Sequence, residues 1–195
     1  NLGPGFDSMG LALTLHNELA AEVGRTNKTV VEIVGEGENT LARDESNLVV
    51  RSMIETFKQL DRKPFQSGFD APTASGLGSS SAAVAGGVFL ANEICGRPLD
   101  REDLFKIAAK IEGHPDNVAP ALLGGLAVSV GDAEAGFHAL SVDLDALTKW
   151  KYVVAIPDFT IDTAAARKVL PKKIAFEDAV FNIGRASLVI AALLK

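Results

Sequence analysis

The sequence predicts an α+β fold, in which strands and helices are grouped rather than regularly alternating. Three observations indicate this class: β-branched, alternating segments precede the first helix, helices then follow one another through the middle, and strands return after them. The chain has 195 residues, of which 47% are hydrophobic and 23% are charged. These values are those of a globular protein with a real core, and they exclude disordered and collagen-like classes.

The first elements along the chain are strands. Apolar and β-branched runs predict strands over Leu11 to Leu15, Leu19 to Val23 and Thr29 to Val34. Three- and four-residue apolar spacing then predicts a helix over Asn47 to Leu60, with polar capping residues at its start. A short strand over Phe65 to Phe69 is expected to end before Pro72 and the glycines and serines that follow.

Helices dominate the middle of the chain, and a mixed segment follows them. Helices are predicted over Ala82 to Cys95, Asp100 to Glu112 and Val118 to Leu123, and strands over Leu126 to Val130 and Phe137 to Val142. The last predicted elements are a strand, Tyr152 to Ile156, and two helices, Asp162 to Leu170 and Phe176 to Leu194. Because a new set of elements begins near residue 150, we predict one domain over 1–148 and a second over 149–195.

Charge and cysteine content restrict the function classes. Nineteen Lys and Arg against 25 Asp and Glu give a net charge of −6, without a basic block, which argues against nucleic-acid and membrane-surface partners. The single cysteine, Cys95, excludes an internal disulfide and a multi-thiolate metal site. No apolar run approaches the roughly 18 residues of a membrane span, so we expect a soluble, cytoplasmic protein.

The strongest local motif is the Gly/Ser segment from Pro72 to Ala82, which runs directly into an apolar helix. Its glycines permit close backbone approach, and free N–H groups at a helix start favour an anion. From this segment alone, an anion site and an ordinary turn stay equally open. A Walker A loop would need Lys after Gly78, and a dinucleotide loop would need a third glycine where Ser81 stands. A nucleophile elbow would need a hydrophobic strand leading to the serine, which the glycines and Pro72 contradict.

Three motifs together resemble those of the GHMP kinases, whose members phosphorylate galactose, homoserine, mevalonate or phosphomevalonate. The Pro72 to Ala82 segment is similar to the family's phosphate loop, and Glu112 to Ala121, Glu-Gly-His-Pro-Asp-Asn-Val-Ala-Pro-Ala, to its central signature. The segment Asn1 to Gly10, Asn-Leu-Gly-Pro-Gly-Phe-Asp-Ser-Met-Gly, resembles the first motif of the branch that phosphorylates L-homoserine. The resemblance implies a ribosomal-protein-S5-domain-2-like N-terminal domain followed by the start of a ferredoxin-like C-terminal domain.

The resemblance also implies ATP and Mg²⁺ as cofactors. It implies that Ser80 and Glu112 hold Mg²⁺, that Asn47 lies near the adenine, and that Ser80, Glu112 and Arg167 act in catalysis. The residues implied to surround the ATP phosphates are Pro72, Thr73, Ala74, Ser75, Gly76, Leu77, Gly78, Ser79, Ser80, Ser81 and Ala82. Hard oxygen ligands of this kind suit Mg²⁺. Without the resemblance, Glu112 would be read as a solvated carboxylate at a helix end.

For the acceptor, the resemblance implies L-homoserine, phosphorylated in the route to threonine, and a homodimer is allowed. The implied contacts are Asn1, Asp7, His114, Thr163 and Arg167. Asp7 suits the ammonium group and Arg167 can bind the carboxylate in a bidentate manner. Phosphoryl transfer depends on positioning and charge stabilisation, so no residue is assigned as a general base. His16 and His138 are expected to have no role in the site.

Two departures from the family pattern affect these expectations. Ser75 stands where this branch often has Arg, and no third glycine-rich motif follows the helix that ends near Leu194. The chain is therefore expected to be a fragment that lacks the family's first strand and most of its second domain. The alternatives are a different small-molecule kinase of the same family and a noncatalytic nucleotide-binding fragment.

Overall fold

The computed structural model describes residues 2–23, 29–35, 37–62, 69–72, 79–132, 134–142, 150–154 and 167–194. The chain divides into two compact units, Asn1–Asp143 and Leu144–Lys195. The first unit contains mixed helices and strands, in agreement with the predicted α+β class. The domain bounds 1–148 and 149–195 stay a prediction.

Six strands form two small sheets among the described residues of the first unit. They are β1 (Met9–Leu11), β2 (Glu22–Val23), β3 (Val30–Glu32), β4 (Phe69–Pro72), β5 (Leu126–Asp132) and β6 (Gly136–Val142). One sheet has the order β1-β5-β6 and is antiparallel throughout. In the other, β4 lies between β2, which is antiparallel to it, and β3, which is parallel to it.

Helices supply most of the core. They are α1 (Leu48–Gln59), α2 (Ser79–Ile94), α3 (Arg101–Glu112) and α4 (Val118–Leu123) in the first unit, and α5 (Phe176–Leu193) in the second. Valines and alanines of α2, among them Val84 and Val88, are buried together with Leu104 and Phe105 of α3. Ala127 and Phe137 bring the first sheet into the same cluster. A second cluster joins α2 to Met53 and Phe57 of α1.

The second unit is described only in part. None of the residues of α5 is buried, and Phe176, Phe181 and Ile183 are among its exposed apolar side chains. Residues 167–168 are helical and lie within the predicted helix Asp162 to Leu170. Residues 152–154 are not in a strand, so the predicted strand Tyr152 to Ile156 is wrong over these residues. Among the described residues, no helix combines the length and apolar character that a membrane crossing requires.

The first predicted strands differ from those observed. Strand β1 ends at Leu11 rather than starting there, because its partner β5 begins at Leu126, directly opposite Leu11. One more hydrogen bond, from the Ala12 N–H to the Gly125 carbonyl at 2.8 Å, ends the pairing. The prediction over Leu11 to Leu15 was therefore wrong beyond its first residue, since apolar alternation does not reveal where a partner strand stops.

Strand β4 also differs, because it includes Pro72, which was expected to lie beyond the strand. Pro72 is the last residue of β4 and lies opposite Glu32 of β3. Proline is tolerated at this terminal position, where a missing N–H does not interrupt a longer ladder. Residues 65–68 of the predicted strand lie outside the described residues.

Asn47 caps α1 and fixes the segment before it. Its Oδ1 accepts a hydrogen bond from the Val49 N–H at 3.0 Å, and its Nδ2 donates to the Ala42 carbonyl at 2.8 Å. Replacing Asn47 with Ala should lower the free energy of unfolding by about 2 kcal/mol, because both bonds of a buried side chain are lost. Urea denaturation followed by circular dichroism measures this change.

The matched control is Asp100→Ala at the start of α3. Asp100 makes one capping bond, from the Asp103 N–H at 2.9 Å, and lies at the surface. Its replacement should cost about 1 kcal/mol. A cost at Asn47 no larger than that at Asp100 would contradict the role given to the Ala42 bond.

Candidate functional site

The Gly/Ser segment leads directly into the N-terminus of α2. This 16-residue helix begins at Ser79, so the residues 79–82 form its first turn. Ser80 is exposed, Ser81 is 3% exposed and Ala82 is half-buried. The first N–H groups of a helix have no partner within it, and the helix dipole favours negative charge there. Thr73, Ala74, Ser75, Gly76, Leu77 and Gly78 lie outside the described residues, and for Pro72 and Ser79 only the backbone is described.

The hydroxyls of Ser80 and Ser81 meet the carboxylate of Glu112. Ser80 Oγ donates to Glu112 Oε1 at 2.7 Å, and Ser81 Oγ donates to the same oxygen at 2.9 Å. Glu112 is more than 30 positions from either serine in sequence, so tertiary structure alone brings it to them. The predicted Mg²⁺ pair, Ser80 and Glu112, thus lies within hydrogen-bond distance at the start of α2.

Glu112 is the last residue of α3, where the helix dipole disfavours negative charge. Gly113 follows it with a left-handed φ of 86° and ends the helix with a bond from its N–H to the Ala109 carbonyl. No group of three or more His, Cys, Asp or Glu side chains able to hold a metal occurs among the described residues. One carboxylate with neighbouring hydroxyls fits Mg²⁺, which commonly takes few protein oxygens and completes its shell with phosphate oxygens and water.

The turn after α3 holds a histidine and an aspartate in contact. His114 Nδ1 lies 3.0 Å from Asp116 Oδ1, and the side chain of Asp116 is 1% exposed. The turn ends where α4 begins at Val118, whose first turn is buried against the core. The candidate acceptor residue His114 is therefore held by a buried carboxylate that the sequence reasoning did not assign to the site.

Strand β1 packs against this turn without a side chain between them. A Cβ at Gly10 would collide with the Asp116 carbonyl oxygen and would lie 2.6 Å from Pro120 Cγ. Asp7, with a left-handed φ of 58°, lies three residues before Gly10, a chain distance of about 10 Å at most. The Gly10 contact therefore brings the first motif, which carries Asp7, close to the motif that carries His114.

A cleft of about 560 Å³ joins all three motifs, and we call it the three-motif cleft. Its lining includes Gly10 of the first motif, Ser81 and Ala82 of the second, and Asn117 and Pro120 of the third. Through Ser81, the cleft is one hydrogen bond from Glu112. Asn117 was not among the predicted site residues. It lies within the third motif, Glu112 to Ala121, and this position is the signal by which the sequence could have identified it.

Four predicted site residues remain, namely Asn1, Asn47, Thr163 and Arg167. Asn1 and Thr163 lie outside the described residues. Arg167 belongs to the second unit, where it is half-buried and helical. Asn47 caps α1, and both ends of its amide group bond to backbone atoms of this chain. The contact of Asn47 with adenine stays a prediction.

Comparison with known proteins identifies relatives over nearly the whole chain. The family model for the GHMP kinases N terminal domain matches residues 47–125. A homoserine kinase of Moorella thermoacetica is 43% identical over 197 residues, covering 99% of this chain and 65% of that protein. A homoserine kinase of Carboxydothermus hydrogenoformans is 42% identical over 198 residues, covering 98% of this chain and 63% of that protein.

A solved structure has a similar fold. The crystal structure of homoserine kinase from Cytophaga hutchinsonii matches with a TM-score of 0.77 and 26% sequence identity. The match covers 98% of this chain and 63% of that one. The chain thus spans slightly less than two thirds of the length of the relatives it matches.

Proposed function

We propose that this chain belongs to the GHMP kinase family and is the ATP-binding part of an enzyme that phosphorylates L-homoserine. The reaction transfers the γ-phosphoryl group of ATP to the primary hydroxyl of homoserine and forms O-phospho-L-homoserine, a step toward threonine. The observation that carries this proposal is the three-motif cleft, in which residues from all three kinase-like motifs meet.

The N-terminus of α2 is the proposed phosphate end of the site. Its first N–H groups, which have no partner within the helix, and its dipole suit the charge of the phosphates, and the segment 72–82 would surround them. The fixed donors need not reorganise as charge develops on the transferred group, which is how such a site accelerates the reaction. No residue has to act as a strong base, since positioning carries most of this chemistry.

Ser80 and Glu112 are the residues proposed to hold Mg²⁺ with ATP. Their oxygens already lie within 2.7 Å of each other, and a bound cation would offset the unfavourable position of Glu112 at the C-terminus of α3. When bound, the ion would neutralise phosphate charge. Ser81 holds the Glu112 carboxylate from the cleft side, which keeps that oxygen directed at the start of α2.

The acceptor is proposed to contact Asn1, Asp7, His114, Thr163 and Arg167. Homoserine carries an ammonium, a carboxylate and a hydroxyl, so its site needs an anion, a cation and small polar groups. Asp7 is proposed for the ammonium and Arg167 for the carboxylate. Asn117 lines the three-motif cleft and offers an amide for the hydroxyl.

The finer fold assignment and the assembly are also proposals. The first unit is proposed to adopt the ribosomal-protein-S5-domain-2-like fold and the second to begin a ferredoxin-like domain. A homodimer stays a prediction, and light scattering on the purified chain tests it by measuring the molar mass in solution.

The test is ADP release with Mg·ATP and homoserine, mevalonate, galactose or no acceptor. The Moorella thermoacetica homoserine kinase serves as the positive control, and ATP binding by calorimetry is measured beside turnover. We expect ATP binding by this chain and, where turnover occurs, dependence on homoserine.

Each other result has a distinct meaning. Release of ADP with mevalonate or galactose would assign the acceptor to another branch of the family. Binding of ATP without turnover would favour a noncatalytic nucleotide-binding protein. Failure to bind ATP would contradict the proposed function as a whole.

A further inference from the structure

The His114–Asp116 pair combines a partly exposed imidazole with a nearly enclosed carboxylate. Asp116 Oδ1 lies 3.0 Å from His114 Nδ1, while Asp116 Oδ2 is buried and has no hydrogen-bond partner among the described residues. The imidazole is 19% exposed, and the carboxyl group is almost fully enclosed. Burying such a group is costly unless hydrogen bonds offset the lost hydration, so a turn with no further role would not need it.

The chemistry of the pair indicates which nitrogen carries the proton. A carboxylate only accepts hydrogen bonds, whereas a neutral imidazole has one donor and one acceptor nitrogen. The His114 N–H is the only side-chain donor that the described residues bring to Asp116. Placing the proton on Nδ1 satisfies this contact and leaves Nε2 with a free lone pair.

The backbone around Asp116 is held on three sides, which makes it a firm support. Gly113 ends α3 before the turn, and α4 begins at Val118 directly after it. From the third side, β1 approaches so closely that Gly10 has no room for a side chain against the Asp116 carbonyl. The backbone that carries the Asp116 carboxylate is therefore positioned by three separate elements, and from it the carboxylate reaches His114 Nδ1.

We propose that Asp116 is a positioning residue, which holds His114 as the Nδ1–H tautomer and so presents Nε2 as a hydrogen-bond acceptor to the acceptor substrate. The group that Nε2 meets is a donor of the amino-alcohol acceptor, its hydroxyl or its ammonium. This last point rests on the proposed function, while the tautomer of His114 does not. Asp116 acts through His114 and does not itself exchange a proton with the substrate.

Nitrogen NMR of the imidazoles tests the tautomer without any turnover. The chain has three histidines, so long-range ¹H–¹⁵N spectra of histidine-labelled protein at pH 8 give three separable patterns, assigned with His114→Gln. We expect His114 to show a protonated Nδ1 and an unprotonated Nε2. A protonated Nε2 in the unaltered chain would overturn the proposal, whether or not any variant folds.

Asp116→Asn is the matched variant, since it keeps the shape of the side chain and removes its charge. The amide can accept from or donate to Nδ1, so the preference for the Nδ1–H tautomer should be lost, while His16 and His138 remain unchanged. In kinetics we expect the KM for homoserine to rise about tenfold and the KM for ATP to stay constant.

Asp100→Asn, at the surface start of α3, controls for loss of a negative charge and should alter neither KM. An unchanged tautomer and an unchanged KM for homoserine in Asp116→Asn would overturn the proposal. A loss of the tautomer preference in a chain that acts on a different acceptor would support the positioning and contradict only the homoserine assignment.

Discussion

Replacing Glu112 with Gln should reduce kcat/KM for Mg·ATP by about 10²- to 10³-fold without unfolding the protein. The amide retains an oxygen that can accept from Ser80 and Ser81, at 2.7 and 2.9 Å in the native chain, but it carries no charge. The reduction in kcat/KM therefore measures the contribution of the Glu112 charge, because the hydrogen bonds from the two serines are retained. Calorimetric binding of ATP over a range of Mg²⁺ concentrations measures the same loss where turnover is too slow.

The stability of Glu112→Gln should increase, although its activity falls. Glu112 ends α3, where a negative charge opposes the helix dipole, so the neutral amide should raise the free energy of unfolding by about 0.5 kcal/mol. The control is Glu102→Gln on the same helix, where the carboxylate is exposed and pairs with Lys106 at 2.7 Å. Binding and its Mg²⁺ dependence should be unaltered in Glu102→Gln. If ATP binding and its Mg²⁺ dependence were also unaltered in Glu112→Gln, the proposed metal role of Glu112 would be excluded.

The substitution Gly10→Ala should destabilise the first unit by about 3 kcal/mol and weaken acceptor binding with it. A single added methyl group would collide with the Asp116 carbonyl oxygen and lie 2.6 Å from Pro120 Cγ. Neither is the flexible end of a side chain, so β1 or the turn that carries His114 must move. Urea denaturation followed by circular dichroism measures the loss.

Gly184→Ala is the control for adding a methyl group to this chain. Gly184 lies within α5, and a Cβ there would meet nothing within 4 Å. Alanine favours a helix over glycine by about 1 kcal/mol, so this change should be neutral or stabilising. If Gly10→Ala were as well tolerated, the contact between β1 and the Asp116 turn would not be tight in solution.

Local sequence signals were sufficient for most helices and for the strands near residue 130. The prediction over Val118 to Leu123 matches α4 at both ends, and that over Asp100 to Glu112 differs from α3 only by its capping residue. Asp100 caps the start of α3, and Gly113 and Gly124 mark the ends of α3 and α4, so these limits are signalled locally. The short strands β1 and β2 were less well predicted, because their lengths depend on partners β5 and β4 that are distant in sequence.

The candidate site shows the same division. Its motifs could be recognised as local patterns, and Ser80, Glu112 and His114 were all identified from them. Asp116 and Asn117 lie in the same motif but were not assigned, since the burial of Asp116 and the place of Asn117 beside the cleft depend on packing. A polar residue in a turn gives no local sign of whether water or protein will surround it.

The sequence by itself determined the α+β class, the helices with their caps and the three motifs, because each depends on neighbours along the chain. Only the tertiary structure decided that Ser80 and Ser81 share one oxygen of Glu112, that β1 lies against the Asp116 turn, and that one cleft joins the motifs. The physical reason is that these contacts join residues more than 30 positions apart. Their geometry follows from how helices and sheets bury their apolar faces together, and this packing has no local code in the sequence.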